Sequence, residues 1–259
     1  MRLAAAPTSL NSVQPEAEKS RRGGPLESAV PATLVLGWYF LPSLLLLPAA
    51  GQINSWLVLR GWDVPDAHFT TYFLYDVIDT AVAIALAVIG ARVCKLSKED
   101  LGWRFPSSRI WFVWAIALVI PALGAVYALD VLPDMVFFQR LPSLRWNFDP
   151  AWGAWANPTV YHRFFTRALS FPVSEELLYR GLTQGVLRRR HGPAAAVIAT
   201  ALLFAILHPY RGAWNFAGKF LSGLLFCCLR EKSGSIAPPM LAHFAWNQWA
   251  SVVQFHPMF

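Results

Sequence analysis

Six polar side chains that could carry out hydrolysis interrupt apolar stretches in the C-terminal part of the chain. They are Glu175, Glu176, Arg180, His208, His243 and Asn247. Hydrolysis of a peptide bond needs an activated water, a proton acceptor and hydrogen-bond donors for the developing oxyanion. A carboxylate, two imidazoles and an amide can fill these roles. These residue types are therefore compatible with a hydrolytic site.

The spacing of these residues predicts which of them share a helix face. Glu176 and Arg180 are at positions i and i+4, so they can pair on one face of a helix. Glu175 points about 100° away from Glu176 and has no such partner in its own helix. His243 and Asn247 are also at i and i+4. The spacing therefore predicts a Glu176–Arg180 pair and leaves Glu175 without a partner in its own helix.

The composition places this set of residues in a membrane protein. Of the 259 residues, 56% are hydrophobic and only 14% are charged, whereas soluble domains carry roughly 25% charged residues. This excludes a soluble enzyme, a disordered protein and a disulfide-stapled secreted module. The net charge is +7. Because the basic residues cluster between apolar runs, we interpret them as loop charge and expect no nucleic-acid partner.

Seven apolar runs predict an all-α fold, a polytopic bundle of transmembrane helices. At about 1.5 Å per residue, runs of this kind can cross a hydrocarbon core about 30 Å thick. They must be helical because the bilayer offers no partner for backbone polar groups. The fold class is a bundle of about seven spans, with six to eight possible. The predicted spans are 29–50, 70–92, 109–129, 160–187, 193–208, 214–229 and 236–256.

Lys and Arg predict the orientation of the bundle. They gather near the N-terminus, in the loop 92–109, in Arg188-Arg189-Arg190 and at Arg230 and Lys232, while the alternate connections have fewer. The positive-inside rule then places the N-terminus in the cytoplasm. We expect a multi-pass protein of a bacterial or archaeal inner membrane. The predicted regions are a disordered cytoplasmic tail (1–28), N-terminal transmembrane helices and loops (29–159) and a catalytic membrane core (160–256).

Three of the predicted spans bring polar residues to a similar depth. By helical rise, Glu175, His208 and Asn247 lie about 20, 22 and 16 Å from the cytoplasmic ends of their helices. A charge near the bilayer centre costs at least a few kcal/mol, so it requires a partner or a function. We therefore expect these helices to converge on one buried site.

The motifs that carry these residues resemble the CPBP family, named for CAAX proteases and bacteriocin-processing enzymes. They are Glu-Glu-x-x-x-Arg (175–180), Phe-x-x-x-His (204–208) and His-x-x-x-Asn (243–247), in the family's order and each on its own apolar helix. The resemblance covers about 160–256, and the Lys98–Arg104 segment is a weaker likeness. It implies an intramembrane glutamic endopeptidase with a four-helix catalytic core.

The resemblance also implies a role for each motif residue. Glu175 would be the general base that activates water, and His208 would hold and polarise that water. His243 and Asn247 would form the oxyanion hole, and Arg180 with Glu176 would be supporting residues. The resemblance implies no cofactor, and a peptide or protein substrate at the membrane, with lipids around the helices. It leaves the oligomeric state and the identity of the substrate open.

Other functions are compatible with the same residues. A zinc-dependent membrane hydrolase could use His208, His243 and a glutamate as ligands with a water, although the sequence contains no His-Glu-x-x-His pair. Buried Glu and His also form proton relays in transporters, and they occur in bacteriocin-immunity membrane proteins. A reaction at Cys227 or Cys228 is disfavoured because the sequence indicates no activating Arg–His arrangement beside them.

Overall fold

The computed structural model describes residues 25–138, 142–143, 168–208, 213–252 and 254–255, and these are almost entirely helical. The helices are α1 (Pro25–Leu41), α2 (Leu47–Leu59), α3 (Val64–Val93), α4 (Ile110–Phe138), α5 (Ala168–Glu175), α6 (Gln184–Leu207), α7 (Ala213–Ser233) and α8 (Ala237–Val252). Two π-helical segments, π1 (Pro42–Leu46) and π2 (Glu176–Thr183), join α1 to α2 and α5 to α6. A two-residue strand β1 (Pro142–Ser143) pairs antiparallel with β2 (Gln254–Phe255). The all-α prediction is confirmed.

Two predicted boundaries are wrong. Helix α1 begins at Pro25, inside the predicted tail 1–28, because proline is well suited to the first turn of a helix. Helix α4 continues to Phe138, beyond the predicted span 109–129, because the residues after Asp130 are mostly apolar and the two aspartates, Asp130 and Asp134, do not end the helix. The rest of the tail, and the loop beyond Phe138 except Pro142–Ser143, lie outside the described residues.

Two helical segments among the described residues are long and apolar enough to cross a membrane. They are Phe73–Val93 and Ser170–Leu207. Shorter apolar helices occupy Ala29–Trp38, Leu44–Leu59 and Ile110–Ala122. The predicted bundle of seven spans is therefore not confirmed, although the helical class is.

Gly192 divides the apolar segment Ser170–Leu207 into two helices. Its φ of +81° and ψ of 172° lie in a region that glycine adopts far more readily than other residues. Pro193 follows, and proline is tolerated in the first turn of a new helix. The predicted separation of span 160–187 from span 193–208 is thus present as a sharp break rather than a loop.

Charged and polar side chains are buried within the apolar core, while many large apolar side chains are exposed. Glu176, Arg180 and Gln184 are completely buried, whereas Ile89 of α3 and Ile120 of α4 are 51% and 70% exposed. Soluble proteins rarely expose wide apolar surfaces, but such side chains are suited to contact with lipid. This distribution is typical of a membrane-embedded helical protein.

The 95–104 loop between α3 and α4 ties the C-terminal helices together. The Arg104 side chain donates to the carbonyl of Gly234, just before α8, at 3.0 Å. Arg189 of α6 donates to the carbonyl of Lys95 at 3.0 Å. These bonds link α3, α6 and the start of α8, while α6 packs against α7 and α4 packs against both α7 and α8. The loop therefore fixes the relative positions of the helices that carry the predicted site.

Gly185 is a point of very close approach between this loop and α6. A Cβ atom there would lie 2.6 Å from the carbonyl oxygen of Asp100. We expect Gly185→Ala to lower the free energy of unfolding by about 1–3 kcal/mol through this overlap, measured by thermal unfolding in detergent. Gly51→Ala in α2 is the control, because its Cβ would meet nothing within 4 Å and alanine favours a helix. An equal loss in both variants would contradict the close approach.

Candidate active site

The two adjacent glutamates lie where the helix changes its hydrogen-bonding pattern. Helix α5 contains Pro172 and ends at Glu175, and the π-helical segment π2 starts at Glu176. π-Helical turns are often found at functional sites because they re-aim the following side chains. Every residue of π2 is buried. The change from α-helix to π-helix falls between Glu175 and Glu176, and the two carboxylates contact different partners.

Glu175 lies beside two imidazoles that come from different helices. Its Oε2 atom is 3.6 Å from Nε2 of His208, at the end of α6, and 3.7 Å from Nε2 of His243, in α8. The side chain of Glu175 is 11% exposed and that of His243 is 5% exposed. The structure thus brings together a carboxylate and two imidazoles that lie far apart in the sequence.

Glu176 forms the ion pair expected from its spacing and also reaches another helix. Its Oε1 atom accepts a hydrogen bond from Nη1 of Arg180 at 3.0 Å, and both side chains are wholly buried. The same oxygen contacts Nδ1 of His243 at 2.8 Å. Glu176 therefore connects the buried arginine to one of the two imidazoles beside Glu175.

Two phenylalanines support the imidazole rings. The ring centroids of Phe204 and His208 are 4.0 Å apart, and Phe226 stacks on His243 with 4.8 Å between centroids and 19° between planes. The guanidinium carbon of Arg180 lies 4.4 Å from the centroid of Phe204 and 5.1 Å from that of Phe226, within the range of cation–π attraction. Arg180 thus contacts both rings that hold the histidines.

Hydrogen bonds at Nδ1 determine whether the Nε2 atom of each histidine, which faces Glu175, is a donor or an acceptor. Nδ1 of His208 is 2.7 Å from the carbonyl oxygen of Phe204. A carbonyl can only accept, so this nitrogen carries the hydrogen. Nδ1 of His243 likewise donates to Glu176, whose oxygen already accepts from an arginine. In the neutral form, Nε2 of each ring is then an acceptor. Nε2 of His243 could therefore donate to an oxyanion only in the imidazolium form.

Asn247 is placed one turn beyond His243 on α8, as its spacing predicts. It is partly buried and takes part in further contacts of the bundle. Its amide could donate a hydrogen bond in any protonation state of the site, unlike the neighbouring imidazole. Of the six predicted residues, five form the connected cluster around Glu175 and Glu176, and Asn247 lies next to it along the helix.

Two further carboxylates near the site are absent from the predicted set. Asp76 and Asp79 of α3 are 2% and 5% exposed, and Asp79 interacts electrostatically with Asp76 and with Glu175. These aspartates could have been found from the sequence by the same signal as Glu175, because each is a carboxylate inside an apolar run. Phe226, by contrast, has no signal that separates it from ordinary packing residues.

Neither a cluster of metal ligands nor an accessible thiol lies at this site among the described residues. Within the part of the chain that the structure describes, no three or more His, Cys, Asp or Glu side chains are grouped so as to hold a metal ion. Cys227 is completely buried and contacts Arg180. Arg180 reaches this cysteine from a separate helix. Burial keeps this thiol away from substrates.

Two comparisons with known proteins show a similarity. Residues 157–249 match the family model of the Rce1-like type II CAAX prenyl endopeptidases. The chain is also 30% identical over 139 residues to an uncharacterised 24.3 kDa protein of Escherichia coli, over 51% of this chain and 58% of that protein. No solved structure matches the chain.

The buried Glu–His cluster lies within the matched region 157–249. The match concerns this region of the chain, and the chain spans 58% of the length of the curated relative it matches.

Proposed function

We propose that the chain is an intramembrane endopeptidase that hydrolyses a peptide bond of a membrane-associated protein or peptide. One observation carries the proposal: Oε2 of Glu175 lies within 3.6 and 3.7 Å of the Nε2 atoms of His208 and His243 in a buried site. The match to CAAX prenyl endopeptidases supports the same reaction class.

Glu175 is the general base in this proposal. A water between Oε2 of Glu175 and Nε2 of His208 donates one hydrogen to each, since both atoms are acceptors. Glu175 takes its proton as the water oxygen attacks the peptide carbonyl carbon. The bond from His208 to the carbonyl of Phe204 keeps the imidazole in the orientation that this water requires.

The oxyanion is stabilised by Asn247, and also by His243 when that ring has taken up a proton from solvent before the attack. The amide of Asn247 donates as a neutral group, while His243 donates through Nε2 as an imidazolium whose charge Glu176 balances. The proton held by Glu175 then passes to the leaving nitrogen as the C–N bond breaks. The products are a carboxyl terminus and an amine, and the carboxylate of Glu175 is regenerated.

The proposed setting is a multi-pass protein with about seven spans and a cytoplasmic N-terminus in the inner membrane of a bacterium or archaeon. The distribution of Lys and Arg supports this orientation. Lipids surround the helices, and the substrate is a protein or peptide at the membrane. Neither nucleic acid nor a cofactor is part of the proposal.

The proposed activity is tested by comparing protein termini in membranes. Cells that produce the wild-type chain are compared with cells that produce Glu175→Gln at the same level, and new termini are identified by mass spectrometry. We expect a set of termini that occurs only with the wild type. Identical sets in both cell populations would contradict a peptidase, and a transporter or immunity role would then account better for the buried cluster.

The metal-free mechanism makes a separate prediction. Purified protein treated with EDTA or 1,10-phenanthroline is expected to retain its cleavage rate, because Glu175 rather than a metal ion activates the water. Metal content is measured in parallel by mass spectrometry. A loss of activity that added zinc restores would replace the glutamate mechanism with the zinc-dependent alternative at His208 and His243.

A further inference from the structure

A cavity of about 360 Å³ opens between α3, π2 and the 95–104 loop. Its walls are mostly apolar and include Ala87, Val88 and Leu177. This volume is within the range of about 300–1,000 Å³ that is typical of ligand pockets. The cavity lies on the side of π2 that faces α3, and neither Glu175 nor the two histidines line it. It is therefore a separate site from the Glu–His cluster.

The opening of the cavity is positively charged. Arg92, Lys95 and Lys98 line it and are exposed to solvent. The nearby carboxylates do not line it: that of Asp100 accepts a hydrogen bond from the backbone of Ser97 at 3.0 Å, and Glu99 is bonded to the Ser97 hydroxyl. The cations thus remain available to an anion at the opening.

Lys95 occupies a backbone position that normally favours glycine. Its φ is +49°, in the left-handed region. Its N–H donates to Arg92 and that of Leu96 to Ala91, at 3.1 and 2.8 Å, which are the paired bonds of a Schellman cap at the end of α3. A side chain here carries a conformational cost that glycine would avoid. In return for this conformational cost, the lysine side chain places a positive charge at the opening of the cavity.

We infer that this cavity binds one anionic phospholipid. An acyl chain lies among the apolar walls, and the phosphate lies beside Lys95 and Lys98. The site is at the end of the apolar segment Phe73–Val93, where a membrane helix meets the lipid headgroups. Trp103, which is 55% exposed, also lines the cavity, and tryptophan is enriched at that interface. Basic clusters at this position attract anionic lipids.

The bound lipid would support the segment that carries the Glu176–Arg180 pair. Leu177 and Gly181 of π2 both line the cavity, so an acyl chain there packs against the same segment from the opposite side. This consequence does not rest on the proposed peptidase activity, because binding can be measured without a substrate.

The test uses the full-length protein in a neutral detergent. Phosphatidylglycerol is titrated, and binding is followed by native mass spectrometry and thermal unfolding. At lipid concentrations about 100 times the Kd, we expect one bound molecule and a rise in Tm of about 5–10 °C. Phosphatidylcholine and inorganic phosphate, used alone, are expected to give no such rise. An equal effect of either would overturn the proposal.

Variants separate the cavity from general surface charge. Lys95→Gly with Lys98→Gln is expected to weaken phosphatidylglycerol binding at least tenfold, at roughly one kcal/mol per lysine, while glycine at position 95 suits the cap. Val88→Phe should abolish binding by filling the cavity with the charges intact. Lys232→Gln removes an exposed cation that does not line the cavity and should leave the affinity unchanged. Unchanged binding in the first two variants, or equal weakening in the third, would overturn the inference.

Discussion

Replacing Glu175 with glutamine is expected to lower the cleavage rate by about 10²–10⁴-fold, the usual contribution of a general base, without loss of the fold. Glutamine has the same shape but cannot accept the proton of the attacking water. Among the described residues, Oε2 of Glu175 makes no hydrogen bond, and the nearby Arg180 pairs with Glu176 instead. The substitution therefore removes a reactive group and leaves the buried ion pair in place.

The measurement is the cleavage rate of an identified substrate together with Tm. Glu231→Gln is the matched control, since it removes the same charge from a carboxylate that pairs with Arg188 at 2.8 Å, outside the Glu–His cluster. The Arg188 side chain is 47% exposed, so this pair contributes little to stability. The control should keep its activity. A Glu175→Gln protein that retains most of its cleavage rate would exclude Glu175 as the base.

Local helix geometry explains why part of the site could be predicted from sequence. Glu176 and Arg180 pair because residues at i and i+4 meet on any helical turn, and this pair is present even though the segment is π-helical. The separate direction of Glu175 follows from the same rule. These relations depend on a few adjacent residues, so the sequence contains all the information they need.

Contacts between helices could not be derived in the same way. The bond from His243 to Glu176 joins residues that are 67 positions apart, and it depends on how α8 packs against π2. This contact changes the chemistry, because it makes Nε2 of His243 an acceptor in the neutral ring. The stacking of Phe226 on His243 is equally non-local.

The 95–104 loop shows a similar limit for the fold. Its sequence gives only a weak family likeness, yet the loop joins three helices through backbone carbonyls, such as that of Lys95. Backbone groups are the same in every residue, so their partners leave no trace in composition or spacing. The break at Gly192 could be predicted because glycine, proline and three arginines mark it directly.

Arg180→Met is expected to destabilise the protein by about 3–5 kcal/mol, the usual cost of leaving a buried charge without its partner. The change leaves buried Glu176 without its arginine and with only the hydrogen bond from His243. It also removes the cation from the faces of Phe204 and Phe226, and it breaks a 3.3 Å hydrogen bond to the carbonyl of Gly223. The measurements are the free energy of unfolding in detergent and the yield of folded protein.

A double variant separates the charge from the packing. Arg180→Met combined with Glu176→Gln removes both buried charges, so it should recover part of the lost stability. It should not recover cleavage, because His243 then lacks the carboxylate that stabilises its imidazolium form. Arg188→Met is the control, since its partner Glu231 lies in a more exposed pair and the expected loss is below about 1 kcal/mol. If Arg180→Met were as stable as Arg188→Met, the buried pair would not be what holds π2 against α7 and α8.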